Sequence, residues 1–189
     1  MININKQRLK DKIILGVDPG TTVMGYGIIE CSSGNLSLLQ YGVIHLDKYT
    51  NHALKLKKIF ERVNNLILDY TPDEVALEAP FYGKNIQSML KLGRAQGVAM
   101  AAALFNEIPI TEYAPKKVKQ SVTGNGNASK EQVAQMLKTI LHNFDDTPKL
   151  LDATDALAVA VCHFFQNDIP QNTNKGWKAF ISENPDRIK

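Results

Sequence analysis

The spacing of apolar positions changes along this chain, and each change marks a predicted element. Ile13-Ile14-Leu15-Gly16-Val17 is a short apolar run of the kind that forms a buried strand, and Asp18-Pro19-Gly20 closes it with turn residues. Val23 to Cys31 reads as a second strand, in which Gly25 and Gly27 leave the backbone bare for a close neighbour. After Ser32-Ser33-Gly34-Asn35, the positions Leu36, Leu38, Tyr41, Val43 and Ile44 predict a third strand reaching Leu46, and with it a meander. From Asn51 to Tyr70 the period becomes helical: Leu56, Ile59, Phe60, Val63, Leu66 and Ile67 share one face, and Thr71-Pro72 ends the helix.

The second half alternates strand and helix. Asp73 to Pro80 predicts a short strand with Val75 and Leu77 on one face, so Glu78 projects with Ala76 onto the other, next to the strand's exit. Ile86 to Asn106 predicts a long helix in which Gly93, Gly97 and Ala101 recur every four residues, a face suited to close packing inside the fold or to contact with a second chain. Ile108 to Glu112 fits a strand, and Ala114-Pro115 opens a lysine-rich helix that breaks at Gly124-Asn125-Gly126-Asn127. Ser129-Lys130-Glu131-Gln132 matches a capping box and predicts a helix to His142. Asp145-Asp146-Thr147-Pro148 then launches a last helix from Lys149 to Gln166. The predicted organisation is a basic arm over residues 1–11, one α/β domain over 12–167, and a polar tail over 168–189 with the lone Trp177.

Charge refines this picture. The net charge is only +3, but residues 83–130 hold seven positive side chains (Lys84, Lys91, Arg94, Lys116, Lys117, Lys119, Lys130) against Glu107 and Glu112. Such a stretch is either a solvated helix face or a surface for a polyanion. The two cysteines, Cys31 and Cys162, lack metal-ligand spacing and are too few for a disulfide framework, so buried free thiols are expected. The longest apolar run, Gly97 to Phe105, is far short of a membrane span, and a cytoplasmic location is expected.

Four acids follow apolar elements: Asp18, Glu78, Asp152 and Asp155. Singly, each has an ordinary reading, Asp18 as a turn former and the pair Asp152 and Asp155 as partners of a helix dipole. Together they are all-oxygen donors, two of them at strand ends, which suits hard cations such as Mg²⁺ or Mn²⁺ and the two-ion chemistry of phosphoryl transfer. Phe81 and Tyr82, adjacent aromatics after the Glu78 strand, either fold into the core or form a stacking platform for an unpaired base.

Seven motifs in order and spacing give these acids a context. Leu15-Gly16-Val17-Asp18-Pro19-Gly20-Thr21, Gly25-Tyr26-Gly27, Leu77-Glu78, Lys84-Asn85, Lys91-Leu92-Gly93-Arg94-Ala95-Gln96-Gly97, Val118-Lys119-Gln120 and Asp152-Ala153-Thr154-Asp155-Ala156-Leu157-Ala158 together resemble the RuvC family of bacterial Holliday junction resolvases, over residues 12–165. The resemblance implies a ribonuclease H-like α/β fold, with a five-stranded mixed sheet flanked by helices. It implies a homodimeric, metal-dependent DNA endonuclease that nicks two strands of like polarity symmetrically at a four-way junction. Asp18, Glu78, Asp152 and Asp155 match the family's catalytic, metal-binding carboxylates, and two Mg²⁺ (or Mn²⁺) ions per site follow. Phe81 matches the loop aromatic that acts at the crossover; Lys84, Lys119 and Lys130 match DNA-contacting or catalysis-assisting positions. The helix of Gly93 and Gly97 matches the dimer helix, and RuvA and RuvB are the implied partners. Pro80, which departs from the family pattern, is expected to stiffen the Phe81 loop. Two other readings have the same fold: an RNA-processing nuclease of the ribonuclease H or YqgF type, and a module that binds branched DNA without cutting it.

Overall fold

The computed structural model describes residues 11–80, 85–144 and 151–168. The predicted arm at 1–10, residues 81–84 with Phe81 and Lys84, the predicted cap at 145–148 and the predicted tail beyond 168 lie outside the described residues.

Strands β1 (Lys12–Asp18), β2 (Val23–Ser32) and β3 (Asn35–His45) form the antiparallel meander, and Ser33 and Gly34, both at positive φ, make the two-residue turn between the last two. Helix α1 (His52–Tyr70) starts at Asn51, whose side chain accepts from Ala53 N–H, and ends at Thr71 in the left-handed region. It crosses over to β4 (Glu74–Glu78), which lies parallel to β1. Helix α2 (Ile86–Phe105) then leads to β5 (Ile110–Tyr113), parallel to β4 at the sheet edge. The lysine-rich α3 (Pro115–Thr123) is stopped by Gly124 at positive φ, and α4 (Lys130–Ile140) carries both hydrogen bonds of the expected capping box.

Six strands, not five, make up the sheet, in the order β5-β4-β1-β2-β3-β6. The sixth, β6 (Leu141–His142), takes the two residues that the helical pattern had assigned to the end of α4. Leu141 turns extended, buries its side chain and pairs with Leu36 of β3. A two-residue strand is too short for alternation to show in sequence. Helix α5 (Leu151–Asp168) is the last of the described elements.

Two apolar cores lie on the two faces of the sheet. Leu15, Val17, Val75 and Leu77 pack with Ile59, Val63 and Leu66 of α1 and with Ala95, Ala99 and Ala102 of α2. Ile14, Ile29 and Ala76 pack with Val118 of α3, Leu137 of α4 and the Leu157–Cys162 stretch of α5. Alternation along β1 and β4 therefore sends Gly16, Asp18, Ala76 and Glu78 to the α5 face. Cys31 and Cys162 are free and buried, as expected. Among the described residues no helix is long and apolar enough to cross a membrane.

Candidate active site

Three bare positions in the sheet bring the acids together. A Cβ on Gly16 would lie 2.2 Å from the Ala156 carbonyl oxygen, one on Gly25 2.0 Å from that of Asp152, and one on Gly27 2.6 Å from the Leu157 side chain. Helix α5 thus rests directly on the backbone of β1 and β2, and this contact sets its first described turn against the end of β1. The close approach expected at Gly25 and Gly27 is an approach by the protein's own helix.

Asp18 is the last residue of β1 and Glu78 the last of β4, so both acids stand at the carboxyl ends of neighbouring parallel strands. One carboxylate oxygen from each of Asp18, Asp152 and Asp155 lies within 4.8 Å of the others, close enough to share one cation. Glu78 lies outside that trio but within electrostatic reach of it. Burial, then the charges of Glu78 and Asp155, push the Asp18 carboxyl up to about 8. Burial and then Asp155 push Glu78 up to about 7, against the pull of Lys130 and Lys119. Burial likewise raises Asp155, despite its lysine partner.

Lys130 is the counter-charge. Its Nζ donates to Asp155 Oδ2 at 2.5 Å and to Asp152 Oδ1 at 3.2 Å. Burial opposes its charge, but the two aspartates outweigh burial and hold its pKa above the usual lysine value. Lys130 pairs with two of the four acids and Lys119 adds a longer-range pull, yet burial and mutual repulsion still leave Asp18 and Glu78 raised. The donors are all oxygen and converge, so a hard divalent cation fits them. Lys119 is engaged elsewhere: its Nζ donates to the Ala128 carbonyl at 2.8 Å, tying α3 to the loop that delivers Lys130. Lys116 and Lys117 are exposed on α3, and Lys91 and Arg94 on α2.

Gln96 stands in one of the seven sequence motifs but is given no role there. This residue of α2 is buried, and its Nε2 donates to the Glu78 carbonyl at 3.3 Å and to Glu112 Oε1 at 2.6 Å. The signal available was one polar residue on the inward face of a helix, among Ala95, Ala99 and Ala103.

A mixed sheet with its long meander at one side, helices on both faces, and carboxylates gathered where β1, β4 and α5 meet defines a ribonuclease H-like domain with an acidic site. The family model for crossover junction endodeoxyribonuclease RuvC matches residues 14–163. The chain is 65% identical to the crossover junction endodeoxyribonuclease RuvC of Cytophaga hutchinsonii, over all of this chain and 94% of that one. It is 58% identical to the Bacteroides fragilis protein of that name, over 97% of this chain and 99% of that one. The structure of Thermus thermophilus RuvC in complex with Holliday junction substrate superposes with a TM-score of 0.76 at 30% identity, over 82% of this chain and 94% of that one. The chain belongs to the RuvC family of crossover junction endodeoxyribonucleases.

Proposed function

We propose that this protein resolves Holliday junctions by hydrolysing phosphodiester bonds in two strands of like polarity, with Asp18, Glu78, Asp152 and Asp155 as its catalytic carboxylates. The observation that carries the reading is the convergence of Asp18, Asp152 and Asp155 on one point, with Glu78 coupled to it. Family membership supplies the substrate class: a Thermus relative with this fold is known in complex with junction DNA. Divalent cations held there, Mg²⁺ or Mn²⁺ and two per site, supply activation of the attacking water and neutralise the leaving oxygen.

Asp18, Glu78, Asp152 and Asp155 would hold the cations, with Asp18 contributing to both and the other three completing their ligand sets. Their negative charge is what retains the cations, and it needs all four side chains ionised. Lys130 holds Asp152 and Asp155 in place and keeps one positive charge at the site for an incoming phosphate. The exposed lysines of α3 and the basic N-terminal half of α2 add phosphate contacts, which orient the junction without reading its sequence. Phe81 and Lys84, a few positions after Glu78 in sequence, contact bases and backbone at the crossover.

The active species is a homodimer built on α2. Ile86, Leu90, Leu104 and Phe105 are exposed on this helix, and a Cβ on Gly93 or Gly97 would meet nothing within 4 Å. An apolar, small-residue helix face left open by its own fold suits a second copy of that face, as a two-fold interface requires. RuvA and RuvB are the partners that deliver the junction. The test is a labelled mobile four-way junction, incubated with the protein and Mg²⁺, with chelator, and with Asp155→Asn. Paired symmetric nicks that need metal and vanish in the variant are expected; tight binding without nicks under any metal would overturn the reading.

A further inference from the structure

Among the described residues three polar side chains are buried: Gln96, Thr154 and His163. Thr154 bonds the carbonyl of Leu151 within its own helix, and His163 bonds Glu74 and Tyr113 at 2.8 Å each. Gln96 differs, because it reaches out of α2 to the end of β4. Its two amide hydrogens meet two acceptors, the Glu78 carbonyl and the Glu112 carboxylate. Neither acceptor carries a proton to give, so the amide nitrogen must be the atom that faces them.

The contact falls at a sensitive place. Glu78 is the last residue of β4, and beyond it the ladder continues through Ala79, whose N–H donates to the Tyr113 carbonyl at 2.8 Å. A strand end whose half-buried carboxylate stands next to the Asp18 end of β1 has to keep its place for the acids to stay together. Something must hold it there. Gln96 holds it by the backbone, from the opposite side of the sheet to α5, and Glu112 on the edge strand anchors the amide in turn.

Gln96 also adjoins Gly97, on the face of α2 that lies open. We propose that Gln96 is a positioning residue: it fixes the Glu78 end of β4 for cation binding and links it to the helix through which two copies associate. The proposal rests on Glu78 being a cation ligand, as in the proposed function. Losing the amide takes this donor from the Glu78 carbonyl and the Glu112 carboxylate, and frees the strand end to move away from the site.

The test uses the full-length protein with Gln96→Leu and Gln96→Arg. An arginine can donate to both acceptors at once, and the exposed Glu112 at the sheet edge leaves room for its extra length. Mn²⁺ binding is measured without DNA by electron paramagnetic resonance, and single-turnover junction cleavage is followed against Mg²⁺ concentration. Gln96→Leu is expected to weaken Mn²⁺ binding by about tenfold and to shift the Mg²⁺ dependence by a similar factor, the scale for lost outer-sphere support of a metal site. Junction binding and dimer mass are expected to hold, and Gln96→Arg is expected to recover Mn²⁺ affinity to within about threefold of the parent. Glu112→Ala, at an exposed position, is expected to give a smaller loss in the same direction and keeps the test informative if Gln96→Leu misfolds. Unchanged Mn²⁺ binding in Gln96→Leu or in Glu112→Ala, or an arginine variant as weak as the leucine one, would overturn the proposal. Glu78→Gln separates the two readings: if it binds Mn²⁺ and cuts like the parent, the role of Glu78 itself is wrong. A dead Glu78→Gln beside an unaffected Gln96→Leu refutes only the positioning.

Discussion

Lys130 Nζ lies 2.5 Å from Asp155 Oδ2, which puts an ammonium among the acids proposed to take up a divalent cation. Lysine and metal therefore compete for the same negative charge. Removing the ammonium takes a repulsive unit charge away from the bound cation, worth about 1 kcal/mol at this range in a half-exposed site, or roughly fivefold in affinity. Lys130→Met is expected to bind Mn²⁺ more tightly than the parent and yet cleave junctions more slowly. Calorimetric titration against Mn²⁺ checks the first part, and weaker binding in the variant would refute the competition.

Neutral replacements of the four acids keep the volume and remove the charge. Asp18→Asn, Glu78→Gln, Asp152→Asn and Asp155→Asn are each expected to lower the single-turnover rate about a thousandfold or more, since several kcal/mol of charge stabilisation are lost. Junction affinity in a gel-shift assay is expected to stay close to that of the parent, because phosphate contacts from the basic helices supply it. A variant that cuts normally removes its residue from the catalytic set.

The raised carboxyls make the metal-free protein sensitive to pH. In the unfolded chain both Asp18 and Glu78 titrate near the usual pH of about 4. The stabilisation from keeping them protonated in the fold is fully present below that pH. It is lost as pH rises through about 7 for Glu78 and about 8 for Asp18. In chelator, the melting temperature is expected to fall between about pH 5 and about pH 9, and Mg²⁺ is expected to recover most at the alkaline end. Asp18→Asn should flatten the decline and stabilise the metal-free protein at alkaline pH by on the order of 2 kcal/mol, after allowance for solvent screening. A flat profile in the parent would contradict the crowding of charge at the site.

Glycines at the sheet and on α2 are expected to respond in opposite ways. Gly16→Ala drives a methyl into the Ala156 carbonyl of α5 and is expected to cost about 1–3 kcal/mol in urea unfolding, with loss of cleavage as Asp155 moves away from Asp18. Gly97→Ala enters open space within its own chain. Its helix propensity alone would add up to about 1 kcal/mol of stability.

Gly97→Arg, in contrast, places a long charged side chain on the open face of α2. It is expected to give a folded monomer in light scattering, with melting close to the parent's but little paired cleavage. A dimer of unchanged mass would remove α2 from the interface.

Much of this was legible before any coordinates. The apolar periods located the meander, α1 and α2, and the capping box at Ser129 was found as read, because caps and periodicity are local properties. The sixth strand was not legible: Leu141 and His142 continue a helical pattern, and only the edge of β3 draws them into the sheet. Lys119 and Lys130 were matched to the same kinds of role, yet one ties a loop and the other pairs with two acids.

The sequence by itself singled out the candidate side chains, since acids that follow apolar elements and glycines at regular strand positions are patterns of a few residues. Tertiary structure alone decided their arrangement. Asp18 and Asp155 stand 137 positions apart, and they meet because α5 lies flat on Gly16, Gly25 and Gly27. The grip of Gln96 on Glu78 is of the same kind, a contact between a helix and the end of a strand on the sheet it covers. Charge repulsion, burial and the partners that offset them act between elements and through space, so they exist only once the chain has folded.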